Sequence, residues 1–176
     1  QGLGHVGYHL CSPLAGEGVK LIVTDIDEER VARVVRDFGA KAVAPDEIYG
    51  VDAQVFAPCA LGSVINDETI PRFRFEIIAG AANNQLAEAR HGDELVRRGI
   101  LYAPDYVINA GGLISVYGEL NGWSPDHAKR KAGEIYNTLL QLFELSKEQG
   151  IPTHDAADRL AERRIEQVAR IQQTRV

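Results

Sequence analysis

Apolar residues follow two rhythms along this chain. Up to about residue 110 they come in short runs rich in β-branched residues: VKLIVTD (19–25), AKAV (40–43), AQVFAPC (53–59), the start of FEIIAGAANNQ (75–85) and the start of LYAPDYVINAGG (101–112). Runs of this length and composition read as strands buried on both faces, which is what a parallel sheet requires. Between them lie segments with helical spacing. Residues 5–17 place Val6, Leu10 and Leu14 on one face, with Pro13 inside and Gly16 and Gly18 at the end. An interior proline costs about 3 kcal/mol and bends or ends a helix. DEERVARVVRDFG (27–39) has Asp27 as N-cap, acids in its first turn and Gly39 as its stop. HGDELVRRGI (91–100) is a third helix, while PDEIYG and NDETIPRF read as turns or single helical turns.

From Ser124 the pattern becomes helical throughout. Ser124 is a natural N-cap with Pro125 at the first helical position, and one helix is predicted over 124–150 with Ile135, Leu139, Leu142 and Phe143 in its apolar stripe. A second, more charged helix starts from Thr153 or Asp155. Strands alternating with helices predict an α/β fold, a doubly wound parallel sheet of the Rossmann type closed by two long helices. The expected organisation is a sheet domain over residues 1–122 and a helical segment over 123–176 that packs back on it.

Composition narrows the function. The chain has 176 residues, 45% hydrophobic and 25% charged, with a net charge of -6. That is the mix of a soluble globular domain. No apolar run reaches the ~18 residues a membrane span needs, and no stripe of Lys and Arg interleaved with aromatics points to nucleic acid. Cys11 and Cys59 have no C-x-x-C spacing, so reduced thiols in a cytoplasmic protein are expected rather than a disulfide or a metal site.

The first residues, QGLGHVG, contain G-x-G-x-x-G at Gly2, Gly4 and Gly7. In a dinucleotide-binding unit the first glycine turns the chain out of a strand, the second lets a pyrophosphate approach the backbone, and the third lets helix and strand pack closely. The following helix aims free N–H groups at the phosphates. The next strand ends in Asp25, close to the ~20-residue spacing of the acid that binds the adenosine ribose. A carboxylate there repels a 2′-phosphate, and Asp27, Glu28 and Glu29 add negative charge, so NAD is favoured over NADP. Arg30 reads as a capping or ion-pair residue. Only Gln1 stands where the first strand of such a sheet belongs, so the sequence reads as a C-terminal piece of a longer protein.

Three further stretches, FAPCALG (56–62), AGAANNQL (79–86) and YAPDYVINAGG (102–112), complete the pattern. With QGLGHVG, TDID (24–27) and AADRLAERRI (156–165), they closely resemble the amino-acid dehydrogenases of the leucine/phenylalanine/valine/glutamate family, over the whole chain. The resemblance implies NAD-dependent oxidative deamination of an L-amino acid to the 2-oxo acid, ammonia and NADH. Leucine or another branched-chain amino acid is the expected substrate, with phenylalanine, valine or tryptophan dehydrogenase as the alternatives. It also implies a homo-oligomer and a catalytic domain, upstream of this segment, carrying the acid–base lysine and aspartate and a carboxylate-binding lysine, so that no catalytic residue is assigned here. By the same resemblance Gly2, Leu3, Gly4, His5, Val6, Gly7 and Tyr8 cradle the pyrophosphate and Asp25 binds the ribose. Cys59 and Ala60 border the cofactor, Asn84 and Asn109 face the nicotinamide end, and Leu113 and Val116 touch the substrate side chain. His5 departs from the asparagine common there.

Simpler readings accompany these. Asn83 and Asn84 suit a turn, because Asn tolerates φ > 0. Cys59 suits a small buried hydrophobe, and Leu113 with Val116 suits core packing. His91 reads as a helix-start residue, His127 and His154 as surface helix residues, and Trp123 as a loop anchor. A nucleotide-sensing module without chemistry is the alternative function, because fold alone does not separate sensor from enzyme.

Overall fold

The structure, a computed structural model, describes residues 1–173. The chain forms two compact units, Gln1–Asn109 and the segment from Ala110 onward. The first unit alternates strands and helices in the order α1 (His5–Gly16), β1 (Ile22–Val23), α2 (Glu28–Phe38), β2 (Lys41–Ala42), β3 (Val55–Phe56), β4 (Ile77–Ile78), α3 (Arg90–Arg97), β5 (Leu101–Tyr102) and α4 (Asp105–Ile108). Short 3-10 turns cover Glu47–Gly50 and Ile70–Arg72.

Every strand pair is parallel. β1 pairs with β2, Ile22 opposite Lys41, and β3, β4 and β5 pair in that order, Val55 opposite Ile77 and Ile77 opposite Leu101. Parallel neighbours need crossovers; α2 joins β1 to β2 and α3 joins β4 to β5. The backbone of Gln1 and Gly2 ties the two ladders together. Gly2 donates its N–H to Thr24 O (2.9 Å), Cys59 donates to Gln1 O (2.7 Å), and the Gln1 amine donates to Ala57 O (3.1 Å).

Each ladder is only two residues long, shorter than the apolar runs that predicted it. The run 19–25 shows why. Leu21 and Val23 carbonyls accept from Lys41 and Val43 at 2.8 and 3.0 Å on the β2 side. On the other side Thr24 O accepts from Gly2, the single backbone bond on that flank among the described residues. A run can be buried as a strand while its ladder is completed on one flank over a few residues.

Two apolar clusters hold this unit. One gathers Phe56, Phe73 and Phe75 with Ile65, Ile78 and Leu95, its rings 4.9–5.8 Å apart. The other gathers Leu3, Cys11, Val23, Val34 and Ala40, and seats α1 and α2 beside β1. α2 ends as its sequence predicts. Asp27 accepts from the N–H groups of Glu29 and Arg30, and Gly39 closes the helix at φ +66°.

The second unit is helical: α5 (Gly111–Leu120), α6 (Pro125–Gly133), α7 (Ile135–Gln149) and α8 (Thr153–Gln173). This corrects the single helix expected over 124–150 and the count of two closing helices. Ser124 does cap α6, accepting the His127 N–H at 3.2 Å. The ladder breaks at Gly133–Glu134, where the Glu134 N–H reaches back only three residues, to Lys131 O. Glycine costs a helix interior about 1 kcal/mol relative to alanine, so it is a weak point at which α7 can begin anew. α5 was not foreseen at all; its first two residues are glycines. α5 packs on α6 and α7 on α8, with Leu142 and Ala156 fully buried. Trp123 anchors the α5–α6 loop, its ring 3.1 Å from where a Gly118 Cβ would lie. Among the described residues no helix is long and apolar enough to cross a membrane.

Candidate functional site

The loops that follow β1, β3, β4 and β5, together with the glycine loop, build the candidate site. The glycine loop is the most constrained part. Gly2 adopts φ +85°, and a Cβ there would lie 2.7 Å from Ala60 Cβ and 2.8 Å from Ala60 N. A Cβ on Gly7 would collide with the Gly2 carbonyl oxygen. Gly2 and Gly7 therefore close the turn against each other and against Cys59–Ala60. Gly4 differs: it is the N-cap of α1, and a Cβ there would meet nothing nearer than the Arg30 guanidinium at 3.8 Å. That face is open to an approaching ligand.

No side chain caps α1, and no acid lies in its first turn. The first N–H groups of a helix have no intrahelical acceptor and carry the positive end of its dipole. Over His5, Val6 and Gly7 they form an anion-binding end beside the open face of Gly4.

Asp25 braces this loop from β1. Its Oδ2 accepts the Leu3 N–H at 2.6 Å and its Oδ1 accepts the Asp27 N–H at 2.9 Å. Burial alone would push its carboxyl up, but these donors and the nearby Arg30 charge outweigh it and hold the group below the ordinary carboxylate range. Each carboxylate oxygen keeps a further lone pair for an external donor. Arg30 is occupied by Asp27 at 3.0 Å, the ion pair its spacing suggested.

The other loops are laced together. Ser63 donates to Asn84 O (2.6 Å) and Ile65 to Gln85 O (3.0 Å), and Gly62 leaves no room for a Cβ, which would fall 2.6 Å from Asn83 O. Asn84 sits at φ +52°, exposed on this edge. Asn109 donates to Asn83 Oδ1 at 2.7 Å, which ties the loop after β5 to the loop after β4. The sequence reading had given Asn83 only a turn-shaping role.

Two residues that hold this edge were not foreseen. Gln85 is fully buried; its Nε2 donates to the Gly80 and Ala82 carbonyls at 2.8 and 2.9 Å, and its N–H donates to Asp105 Oδ2 at 2.8 Å. Asp105 Oδ1 accepts from Tyr106 N–H at 2.8 Å. Burial, then the Asp105 charge, push the Tyr102 phenol above its ordinary value, so it stays neutral while accepting the Asp105 N–H at 3.3 Å. The only sequence signal was an acid opening a short helix after β5, which is common anywhere.

The structure thus brings together Gly2, Leu3, Gly4, His5, Gly7, Asp25, Cys59 and Ala60, whereas Asn109 bonds Asn83 rather than Asn84. Tyr8 lies on α1 with its hydroxyl 3.0 Å from Asp37, and Val6 is exposed. Leu113 and Val116 belong to the second unit, on α5, with 74% and 55% of their surface exposed; the core-packing reading of that pair does not hold. His91 starts α3 as expected but is buried.

A family profile described as Glutamate/Leucine/Phenylalanine/Valine dehydrogenase matches residues 19–173. The chain belongs to this family. It is 58% identical over 165 residues to leucine dehydrogenase of Bacillus cereus, covering 94% of this chain and 45% of that protein. It is 44% identical over 176 residues to phenylalanine dehydrogenase of Caldalkalibacillus thermarum, covering 97% of this chain and 48% of that one. The crystal structure of L-tryptophan dehydrogenase from Nostoc punctiforme superposes with a TM-score of 0.94 at 53% identity, over 97% of this chain and 51% of that one. The chain spans about half the length of the curated relatives it matches.

Proposed function

We propose that this chain is the dinucleotide-binding half of an NAD-dependent L-amino-acid dehydrogenase, acting on leucine or a similar branched-chain substrate. The observation that carries the reading is the cradle: an uncapped twelve-residue helix, an open face at Gly4, and an acid at the end of β1 already tied to the loop. The group these residues fit is NAD, which supplies the hydride acceptor when bound. The N–H groups of the α1 first turn take the pyrophosphate, and the spare lone pairs of Asp25 take the ribose hydroxyls. The carboxylates of Asp25 and Asp27, the latter paired with Arg30 at 3.0 Å, repel a 2′-phosphate and favour NAD over NADP. Asn84 and Asn109 present amides at the other end of the strand edge, where open α/β sheets bind ligands. Leu113 and Val116 offer an exposed apolar pair for a substrate side chain. The relatives' names support the substrate class, since they include leucine, tryptophan and phenylalanine dehydrogenases.

The same reading makes the two ladders one doubly wound Rossmann sheet, joined through the backbone of Gln1 and Gly2. The acid–base residues belong to the other half of the enzyme, which acts in a cytoplasmic homo-oligomer.

The test is titration of the longer protein carrying this segment with NAD, and assay of NADH formation with L-leucine, L-valine, L-phenylalanine, L-tryptophan and L-glutamate. NADH formation with one class, and loss of NAD affinity in Asp25→Ala, is the expected result. NAD binding without turnover on any of the five would instead mark a nucleotide-sensing module.

A further inference from the structure

We propose that His5 and His9 on α1 form a chelating site for a divalent transition-metal ion. The two residues are one helical turn apart, so their side chains share a face. Both are exposed. Their rings stand 4.6 Å apart, centroid to centroid, at 68°. Two imidazoles at i and i+4 on one helical face are the arrangement that binds zinc in H-x-x-x-H helices. Metal–nitrogen bonds of about 2.0–2.1 Å place two coordinating nitrogens about 3 Å apart, a span on the scale of the 4.6 Å between these ring centroids. Among the described residues neither ring is engaged in a hydrogen bond or ion pair; their neighbours are each other and, for His9, the edge of Tyr8.

The second cluster of metal-ligating groups shows what a filled position looks like. Asp67, Glu88 and His91 bring ligand atoms within 4.8 Å of one another. There Arg90 already bridges Asp67 and Glu88 at 2.6–3.0 Å, and His91 Nδ1 accepts the Glu88 N–H at 2.9 Å. A guanidinium holds the place of a cation, and one imidazole nitrogen is spent. His5 and His9 have neither obstacle.

Imidazole ligands suit nickel, copper and zinc, whereas magnesium and calcium prefer oxygen. The site therefore takes Ni²⁺, Cu²⁺ or Zn²⁺, with water in the remaining positions. Its existence does not depend on the dehydrogenase reading. It lies on the first two turns of α1.

The experiment is calorimetric titration of the untagged chain with NiCl₂, beside His5→Asn, His9→Asn and a MgCl₂ control. The parent is expected to take up one equivalent of nickel. Each substitution is expected to weaken binding at least about tenfold, the lower end of what losing even an indirect support of a metal ligand costs. Because both residues are exposed, the far-UV circular dichroism of the variants should match the parent. Nickel should broaden the proton signals of the His5 and His9 rings before those of His91, His127 and His154. Isotherms for His5→Asn and His9→Asn that superimpose on the parent's would overturn the site, as would broadening centred on another histidine or equal uptake of magnesium.

Discussion

Gln85→Leu tests whether the edge carrying Asn84 and Asn109 is held from within. The substitution keeps the approximate volume and removes the amide. The Gly80 and Ala82 carbonyls lose their donor, and both residues are buried. A buried acceptor left unpaired costs about 1–3 kcal/mol, so two cost about 2–6 kcal/mol. One gain offsets this: Gln85 Oε1 is buried without a partner in the parent, and its removal returns about 1–3 kcal/mol by the same scale. The net loss is about 1–3 kcal/mol. With a slope near 2 kcal/mol per molar urea, the unfolding midpoint falls by roughly 0.5–1.5 M. Trp123, the sole tryptophan, lies in the second unit. Circular dichroism therefore has to follow the transition, with amide exchange of residues 80–85 as the local probe. Gln85→Glu should cost more, because it turns a carboxylate oxygen towards two carbonyls. A midpoint for Gln85→Leu equal to the parent's, with unchanged exchange at 80–85, would refute the account.

Two further perturbations bear on the glycine loop. Gly7→Ala forces a Cβ into the Gly2 carbonyl; backbone on both sides leaves little room to yield, so a loss at or above the usual overpacking range of about 1–3 kcal/mol is expected in urea melts, and an unaltered melt would mean the turn is softer than its geometry implies. Asp25→Asn addresses pH: a carboxyl held below its ordinary value contributes stability that is fully present above the unfolded-state pKa of about 3.9 and is lost as pH falls through the lower folded value. The stability gap between parent and Asp25→Asn should therefore be widest near neutrality and should narrow below about pH 4; a gap independent of pH contradicts the linkage.

What the sequence made legible was whatever the backbone demands of residue type. Gly2 and Gly7 are glycines because a Cβ has nowhere to go, and that shows as spacing. Asp27, Gly39 and Ser124 cap helices through local bonds, and those too are visible one residue at a time. The strands were legible as apolar runs, but a run reports burial and not the length of its ladder, so runs of four to seven residues met two-residue ladders. Gln85 and Asp105 were invisible for a different reason. Their partners are carbonyls and N–H groups twenty or fewer residues away in a folded loop, and a lone Gln in N-N-Q-L carries no periodicity that marks it as buried. The break at Glu134 was hidden because Glu134 itself is a good helix former with helical angles; only the missing fourth-residue bond separates α6 from α7. Leu113 and Val116 had core spacing and turned out exposed, since spacing states which residues share a face and not whether that face is covered.

Asp25 joins the two halves of the cofactor reading. Its Oδ2 already holds the Leu3 N–H and its Oδ1 the Asp27 N–H, so the acid proposed to meet the ribose also straps the glycine loop to β1 and opens α2. The loop is therefore set before ligand arrives, and binding spends little on ordering it. It follows that Asp25→Ala removes a ligand contact and a loop brace at once, and its lost affinity has two sources. Asp25→Asn separates them. An amide keeps one acceptor and presents a donor where the second N–H points, so it disturbs the strap while still offering hydrogen bonds to a ribose. If affinity falls as far in Asp25→Asn as in Asp25→Ala, the strap dominates; if Asp25→Asn retains most of it, the ribose contact does.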